Sequence, residues 1–461
     1  MIRIFRHYIP KSLLILGLLE VVILILSLYV AETVRFIDAN EPVNHISLLH
    51  VILFTFIMLV VMTAMGLYQR DVKDSTLRTI FKVASSIGLG FLVMTPLFYL
   101  FPELIVGRGV MVGAAVSAFV GILGCRYFIN HFTNHNFLMR RAIVLGAGKR
   151  ATRIERLMVT NGLDSINIKG FIPLEGEAVE VNAHRVLGDS TKIAQIAEKF
   201  DADEVIVAID DRRKSYPADQ LIDIKMSGVE IVEDISFWEK QTGKIEIASL
   251  QPSHLIYADG YVQSVVKPVS KRIFDIVVSL GILALASPIM LVTALAIWLE
   301  SGCKGSILYR QTRVGAGGRC FRIAKFRSMT ENAEANGAQW AVENDPRITR
   351  IGAFIRKTRI DELPQVFNVL KGTMSFVGPR PERPEFEEDL KKDIPYYTLR
   401  HGTKPGITGW AQVKYPYGAS VEDTRNKLQY DLYYVKNYSI FLDLMIIFQT
   451  LQVVLWQKGS R

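Results

Sequence analysis

The sequence predicts three parts in succession: a membrane α-helical bundle over 1–138, an α/β Rossmann-like domain over 139–260, and a small, mostly helical α/β domain over 261–461. The last part stands on a re-entrant membrane helix at 271–300. Three observations carry this expectation. Four long apolar runs precede Arg140, a strand-like run ends in Gly146-Ala147-Gly148, and a fifth apolar run with Ser287-Pro288 at its middle lies between basic flanks.

Composition sets the outer limits. At 461 residues, half of them hydrophobic, the chain is long enough for two or three domains and too apolar for an ordinary soluble protein. A net charge of +9, with basic residues flanking apolar runs, suits an anionic membrane face and phosphorylated substrates better than nucleic acid. No nucleic-acid signature and no Cys/His metal spacing appears. Cys125, Cys303 and Cys320 are isolated, with no CxxC pair, and read as reduced thiols in a cytosol-facing protein. The first apolar run is too long for a cleavable signal peptide and lacks a convincing cleavage site.

The bundle rests on the runs Leu13 to Val34, Ile46 to Tyr68, Ile80 to Phe101 and Val110 to Phe128, each long enough for about 30 Å of hydrocarbon. Arg3, Arg6 and Lys11 precede the first; Arg70, Lys73, Arg78 and Lys82 surround the second loop; Arg140 and Arg141 follow the fourth. The loop Asp38 to His45 carries no Lys or Arg and the third loop has only Arg108, so the positive-inside rule puts both ends of the bundle in the cytoplasm.

In the middle part, Ala142 to Ala151 reads as a buried strand turning through Gly146 and Gly148 into a helix, and Glu204 to Asp210 as a further strand of a parallel sheet. The G-x-G-x-x-A match is short, and Asp164 and Glu175 are poorly placed for the acidic residue that follows the second strand of a dinucleotide site. Both a structural or regulatory role and dinucleotide binding stay open. The residues four after Tyr216, Tyr257 and Tyr261 are Gln220, Tyr261 and Val265, so no Tyr-x-x-x-Lys pair supports a sugar-nucleotide dehydrogenase or dehydratase.

The fifth apolar run decides topology. Between Asp275 and Glu300 lie 24 uncharged residues, enough to cross. Pro288 removes a helical hydrogen bond, and Ser287 can satisfy the freed carbonyl, so the pair either kinks a spanning helix or turns the chain back to the face it entered. Local pattern does not choose between these. Basic residues on both flanks (Lys267, Lys271 and Arg272; Lys304, Arg310 and Arg313) favour the return.

Beyond Gly305, turns marked by Gly and Pro carry frequent cations. Apolar residues at Ile360, Leu363, Val366, Phe367 and Leu370 predict a short helix from about Asp361 to Lys371-Gly372, with Pro364 in its first turn. Asp361 and Glu362 would then stand at the positive end of a helix among Arg356, Lys357 and Arg359. An acidic pair there is also an ordinary cap. Lys325-Phe-Arg-Ser-Met329 and Gly378-Pro-Arg-Pro381 add further fixed cations and turn the reading toward phosphoryl chemistry. The closing run, Phe441 to Trp456, is interrupted by Asp443, Gln449 and Gln452, which fits a helix lying in the membrane interface or a core helix.

From about Lys267 to the C-terminus, KFRSM, DELPQ, PRP and KPGITGWAQV together resemble the catalytic domain of the bacterial polyprenyl-phosphate sugar-1-phosphate transferases, or monotopic phosphoglycosyl transferases. The whole chain resembles their large branch, of the type that initiates exopolysaccharide synthesis. The resemblance implies a re-entrant helix broken at Ser287-Pro288, and transfer of a sugar 1-phosphate, as a hexose 1-phosphate, from a UDP-sugar to undecaprenyl phosphate with release of UMP. It implies Asp361 as nucleophile and Mg²⁺ contact and Glu362 as its assisting carboxylate. Lys325, Arg327, Arg356 and Arg380 are then phosphate or headgroup contacts. The expected setting is the bacterial inner membrane, with the catalytic domain on the cytosolic face, membrane lipids as neighbours, no nucleic acid, and a homodimer left open. A direct-transfer enzyme without a covalent intermediate, and a non-enzymatic scaffold or nucleotide-sensing subunit of a polysaccharide assembly complex, are the competing readings.

Overall fold

The computed structural model describes residues 2–4, 7–9, 11–36, 46–68, 76–132, 139–161, 166–211, 216–257, 266–330, 345–416, 418 and 420–455. The expectations for the loop 38–45, for Arg70, Lys73 and Asp164, and for the end of the last apolar run at Trp456 lie outside these residues. The chain divides into two compact units that meet between Gln241 and Thr242.

The first unit opens with α1 (Lys11–Phe36), α2 (Leu48–Ala64), α3 (Thr76–Leu100) and α4 (Arg108–Phe132). Three contain apolar stretches long enough to cross a membrane, Leu13–Phe36, Thr76–Leu100 and Arg108–Ile129. The second is shorter than the run Ile46 to Tyr68 suggested, because the chain leaves the helix after Ala64 and turns through Gly66 at φ 75°. Its 17 residues are at the lower end of what spans hydrocarbon. Leu24, Leu28, Phe54, Met58, Met62, Val83, Met94 and Ile122 fill the interior, while Leu18, Phe56, Leu92, Val112 and Val120 face outward. A bundle apolar on both faces matches lipid surroundings. Close packing uses small residues: a Cβ on Gly113 would stand 3.0 Å from the Ala31 methyl. Inside the bundle, Arg126 Nε meets the fully buried Glu20 at 2.6 Å, and Tyr68 donates to the same carboxylate.

A four-stranded parallel sheet follows, built from β1 (Arg140–Leu145), β2 (Ile166–Ile172), β3 (Glu204–Val207) and β4 (Glu230–Glu233) in the order β2-β1-β3-β4. The helices α5 (Lys149–Asn161), α6 (Ile193–Lys199), α7 (Ala218–Met226) and α8 (Asp234–Thr242) alternate with the strands. Successive strand residues point to opposite faces, so Ala142, Val144 and Ile206 join one core with Ile154 and Phe237. Ile143, Leu145, Val205 and Val207 join another with Ile193 and Leu221. The strand expected over Glu204 to Asp210 ends at Val207, and Ala208 to Asp210 form the loop beyond it.

The second unit starts at Thr242, some way before the division expected at 260, for a packing reason. Ile245 and Ile247 are buried with Val377, Trp410, Leu428 and Tyr433, the Ile245 amide donates to Gln429 O at 3.0 Å, and Trp410 Nε1 donates to Gly243 O at 2.8 Å. After α9 (Pro252–Tyr257) comes the long α10 (Val266–Glu300). The hairpin β5 (Leu308–Val314) and β6 (Cys320–Phe326) is followed by α11 (Arg350–Lys357), α12 (Gln365–Lys371), β7 (Ser375–Val377) and α13 (Pro384–Asp393). Then β8 (Gly406–Thr408) pairs parallel to β7, before α14 (Trp410–Lys414), α15 (Val421–Asn437) and α16 (Ile440–Leu455).

Hydrogen-bonded helix runs through Ser287-Pro288 without ending. Pro288 has no N–H for the Ala284 carbonyl, and Ser287 Oγ donates to that oxygen at 3.3 Å. Both flanks of the apolar stretch are fastened to the same unit. On the N-terminal side Lys271 Nζ meets Asp443 at 2.6 Å and donates to Val377 O at 3.1 Å, while Asp275 accepts from Ser375 Oγ at 2.9 Å and Phe376 N at 3.0 Å. On the C-terminal side Ile297 is buried with Phe326 and Ile355, and Glu300 accepts from the Ile351 amide at 3.2 Å. Between them Leu285 is 83% exposed and Leu291 73%. As for the last helix, Leu442 and Ile446 are wholly buried in the core, which supports the core-helix alternative on that face. Asp443, which looked like a polar interruption, is buried and paired.

Candidate active site

The acidic pair sits in a break between two helices. Thr349 caps α11 by accepting from the Gly352 amide at 2.9 Å, and the chain leaves α11 through Arg359, a left-handed residue at φ 60°. Ile360–Glu362 then form a single 3₁₀ turn, and α12 begins at Gln365, four residues later than the apolar spacing suggested. The delay has a backbone cause: Arg359 cannot continue a right-handed helix, and Pro364 has no N–H to return to Ile360. At its far end α12 stops at Gly372, φ 85°. Arg272 from α10 donates to the freed carbonyls of Val369 at 2.5 Å and Leu370 at 2.6 Å.

Both carboxylates are buried, and their surroundings differ. Glu362 Oε1 receives Lys325 Nζ at 2.9 Å and Arg380 Nη2 at 3.1 Å, with Arg359 at 4.0 Å. Burial alone would raise its pKa, but these cations hold it well below the usual carboxylate range. Asp361 Oδ1 is buried and has no hydrogen-bond partner among the described residues. Burial, and after it the charge on Glu362, pushes Asp361 up to about 6 against the pull of Lys325, Arg359 and Arg356. One carboxylate is held as an anion, and the charged form of its neighbour is disfavoured. Burial also lowers the Lys325 ammonium.

Lys325 projects from β6, which Asn368 of α12 fastens to the dyad: its Oδ1 accepts from Ala324 N at 3.0 Å and its Nδ2 donates to Arg322 O at 2.7 Å. Arg380 stands on a turn where Gly378 and Gly406 approach so closely that a Cβ on either would overlap the other strand's backbone. Arg400, buried, donates to the Arg380 carbonyl at 2.8 Å, to Asp431 at 2.8 Å and to Tyr397 Oη at 2.7 Å. Beside this turn a small cleft is lined by Arg380, Glu382, His401 and Thr403 among others.

Of the residues expected from the sequence, the structure therefore brings Asp361, Glu362, Lys325 and Arg380 into one cluster. Arg356, in the last turn of α11, acts on Asp361 through its charge. The Arg327 guanidinium packs against Gly305, where a Cβ would overlap it. Ser287 and Pro288 are in the middle of α10. Arg359, expected among the cations beside the dyad, also faces Glu362. Asn368, Arg400 and Asp431 complete the arrangement, and nothing beside them in the sequence marked them. Among the described residues no three His, Cys, Asp or Glu side chains gather to hold a metal.

The fold and this cluster describe a domain with a long apolar helix and a buried acidic pair among cations, and known proteins are similar to this chain. A bacterial sugar transferase family model matches residues 266–457, and a CoA-binding domain family model matches 63–215. The chain is 31% identical over 363 residues to a UDP-glucose:undecaprenyl-phosphate glucose-1-phosphate transferase from Xanthomonas campestris pv. campestris, covering 76% of this chain and 73% of the relative. It is 47% identical over 223 residues to a UDP-N-acetylgalactosamine-undecaprenyl-phosphate N-acetylgalactosaminephosphotransferase from Aeromonas hydrophila, where the match spans 48% of this chain and 52% of the relative. With an exopolysaccharide production protein PSS from Rhizobium leguminosarum bv. phaseoli, identity is 44% over 188 residues, 40% of this chain and 93% of the relative. The chain belongs to the bacterial sugar transferase family.

Proposed function

We propose that the protein transfers a sugar 1-phosphate from a UDP-sugar to undecaprenyl phosphate in two steps through Asp361. A carboxylate oxygen of Asp361 attacks the sugar-bearing phosphorus, the bond from that phosphorus to UMP breaks, and UMP leaves with the electron pair. An oxygen of undecaprenyl phosphate then attacks the same phosphorus, the acyl-phosphate bond returns its electrons to Asp361, and the product is undecaprenyl diphosphosugar. The observation that carries the reading is the buried Asp361 oxygen without a hydrogen-bond partner, on a carboxylate pushed up to about 6, beside a second carboxylate held ionised by two cations. A carboxylate that little solvates is a better nucleophile than an exposed one.

Glu362 assists by holding Lys325 and Arg380 against the place where the diphosphate must lie. Arg380, 38% exposed in its side chain, is within reach of a ligand. Arg356 adds positive potential from the end of α11, and Arg327, packed against Gly305, meets headgroups. Magnesium fits this donor set, since Mg²⁺ characteristically takes one or two carboxylates together with substrate phosphates, and Asp361 Oδ1 offers one. Bound there, the ion would neutralise diphosphate charge.

For a lipid phosphate acceptor the site has to stay at headgroup depth. A re-entrant α10 accomplishes this, and its support is that both flanks of the apolar stretch, Lys271 to Asp275 and Ile297 to Glu300, are fastened to the same compact unit. A helix crossing the membrane would carry one flank away from that unit. Initiation of an exopolysaccharide repeat on the cytosolic face of the inner membrane is the corresponding cellular role.

The test is enzyme with Mg²⁺ and UDP-glucose, UDP-galactose or UDP-N-acetylgalactosamine but no lipid. UMP release should stop at one equivalent, with a phosphosugar adduct mapped to Asp361. Steady UMP release that requires both substrates would replace this mechanism with direct transfer.

A further inference from the structure

The family match over 63–215 and the Gly146-Ala147-Gly148 turn both imply a nucleotide held at the start of α5. The residues there do not fit one. In an open parallel sheet the ligand crevice lies beyond the strand ends where the order reverses, here between β1 and β3. A diphosphate would be gripped by the backbone amides of the glycine turn and the first turn of α5. Three of those amides already have acceptors within the chain. Ala147 N donates to Glu177 Oε2 at 3.0 Å, Lys149 N to Asp210 Oδ2 at 2.7 Å and Arg150 N to Asp210 Oδ1 at 3.0 Å. The missing side chain at Gly148, which lets a phosphate approach in a dinucleotide site, is used by Asp210 itself, whose Oδ2 a Cβ would overlap. Arg150 is turned to Asp234 at 3.2 Å.

We infer that Asp210, reaching over from the loop after β3, together with Glu177, is a built-in anion that replaces the nucleotide phosphates. The middle domain therefore takes no CoA or dinucleotide at this turn. Two carboxylates at the seat also repel an incoming diphosphate. The role of the glycine turn is to tie β1, α5 and the β3 loop together.

Hydrogen–deuterium exchange of the full-length protein in detergent reads this directly, on the peptide spanning the start of α5, with CoA, NAD and ADP as separate probes at millimolar concentration. Without any nucleotide the amides are protected, and none of the three adds protection. Asp210→Ala raises exchange of the Lys149 and Arg150 amides roughly tenfold, the size expected for loss of charge-assisted hydrogen bonds. Asp210→Asn, which keeps the shape and one acceptor oxygen, gives a smaller rise and covers the case in which the alanine variant misfolds. Added protection by any of the three nucleotides on the wild-type turn overturns the inference. Unchanged exchange in a folded Asp210→Ala or Asp210→Asn protein does so as well.

Discussion

Two acid-containing turns in this protein, one in each compact unit, use the same chemical groups to opposite ends. At the start of α5, Asp210 and Glu177 accept from three of the backbone amides that would have met a ligand. At the start of α12, Glu362 holds two cations while Asp361 keeps a buried oxygen with no partner. Glu177 Oε1, at the first turn, is also buried without a hydrogen-bond partner among the described residues, so an unpaired oxygen alone does not separate the two turns. What separates them is the partner of the acids: backbone amides at the glycine turn, ammonium and guanidinium groups at the acidic turn. The difference teaches that acids turned on the chain's own amides tie a fold together, whereas an acid held among fixed cations leaves positive potential for an anion.

The comparison breaks most severely at Asp361. Asp361→Asn preserves shape and burial but removes the proposed nucleophile, so turnover should fall by about 10³-fold or more and the adduct should vanish. Sugar-dependent UMP release and intact-protein mass report both. Near-wild-type turnover would sink the mechanism.

Glu362→Gln comes second, with an expected loss of about 10²-fold, since Lys325 and Arg380 lose the anion that orients them. Its pH profile sharpens the point. Asp361 must be ionised to attack, and with its pKa pushed up to about 6, first-step activity in the wild type should rise through pH 6 and be lost below it. Removing the Glu362 charge removes a repulsion that raises that pKa, so the acid limb should move to lower pH. A limb that stays in place or moves up would mean that burial alone governs Asp361.

Much of this was legible in the sequence where the signal is local. The four apolar runs, the strand leading into Gly146 and the cations beside Asp361 and Glu362 follow from runs and motifs a few residues long, while Lys325 and Arg380 were expected near the dyad through the family resemblance. What the sequence hid depends on distant partners. Asp210 stands 61 residues from Lys149, and nothing beside it announces that it will cap the glycine turn. Asp443 looked like an interruption in an interfacial helix because its partner Lys271 is 172 residues away. The helix expected from Asp361 starts at Gln365 because a left-handed Arg359, which carries no periodic signal, resets the backbone.

Domain limits supply a third expected effect, on stability more than on chemistry. A truncated chain starting at Thr242 should retain Asp361-dependent UMP release, because Lys325, Arg356, Asp361, Glu362 and Arg380 lie in its unit; the Rhizobium relative is nearly covered by a match to 40% of this chain. Starting instead at Tyr261 removes Ile245 and Ile247, 2% and 4% exposed, from the core around Trp410. Large-to-small losses in a core cost about 2–5 kcal/mol each, so the shorter protein should melt at distinctly lower temperature in the same detergent. Equal melting temperatures would place those isoleucines outside the functional core.

The smallest effect belongs to the other turn. Asp210→Ala in the full chain should leave UMP release within about twofold of wild type, because exposed-site substitutions away from the chemistry act through local stability, typically by about 1 kcal/mol for a lost cap. Asp210 is exposed, so the change opens no cavity, and its two amides can turn to water. Parallel assays of Asp210→Ala and Asp361→Asn thus set the full range of the comparison. If Asp210→Ala instead lowered UMP release tenfold while the protein stayed folded, the middle domain would be coupled to the transferase reaction. The glycine turn would then be a control point, and a satisfied site could not be set aside as merely structural.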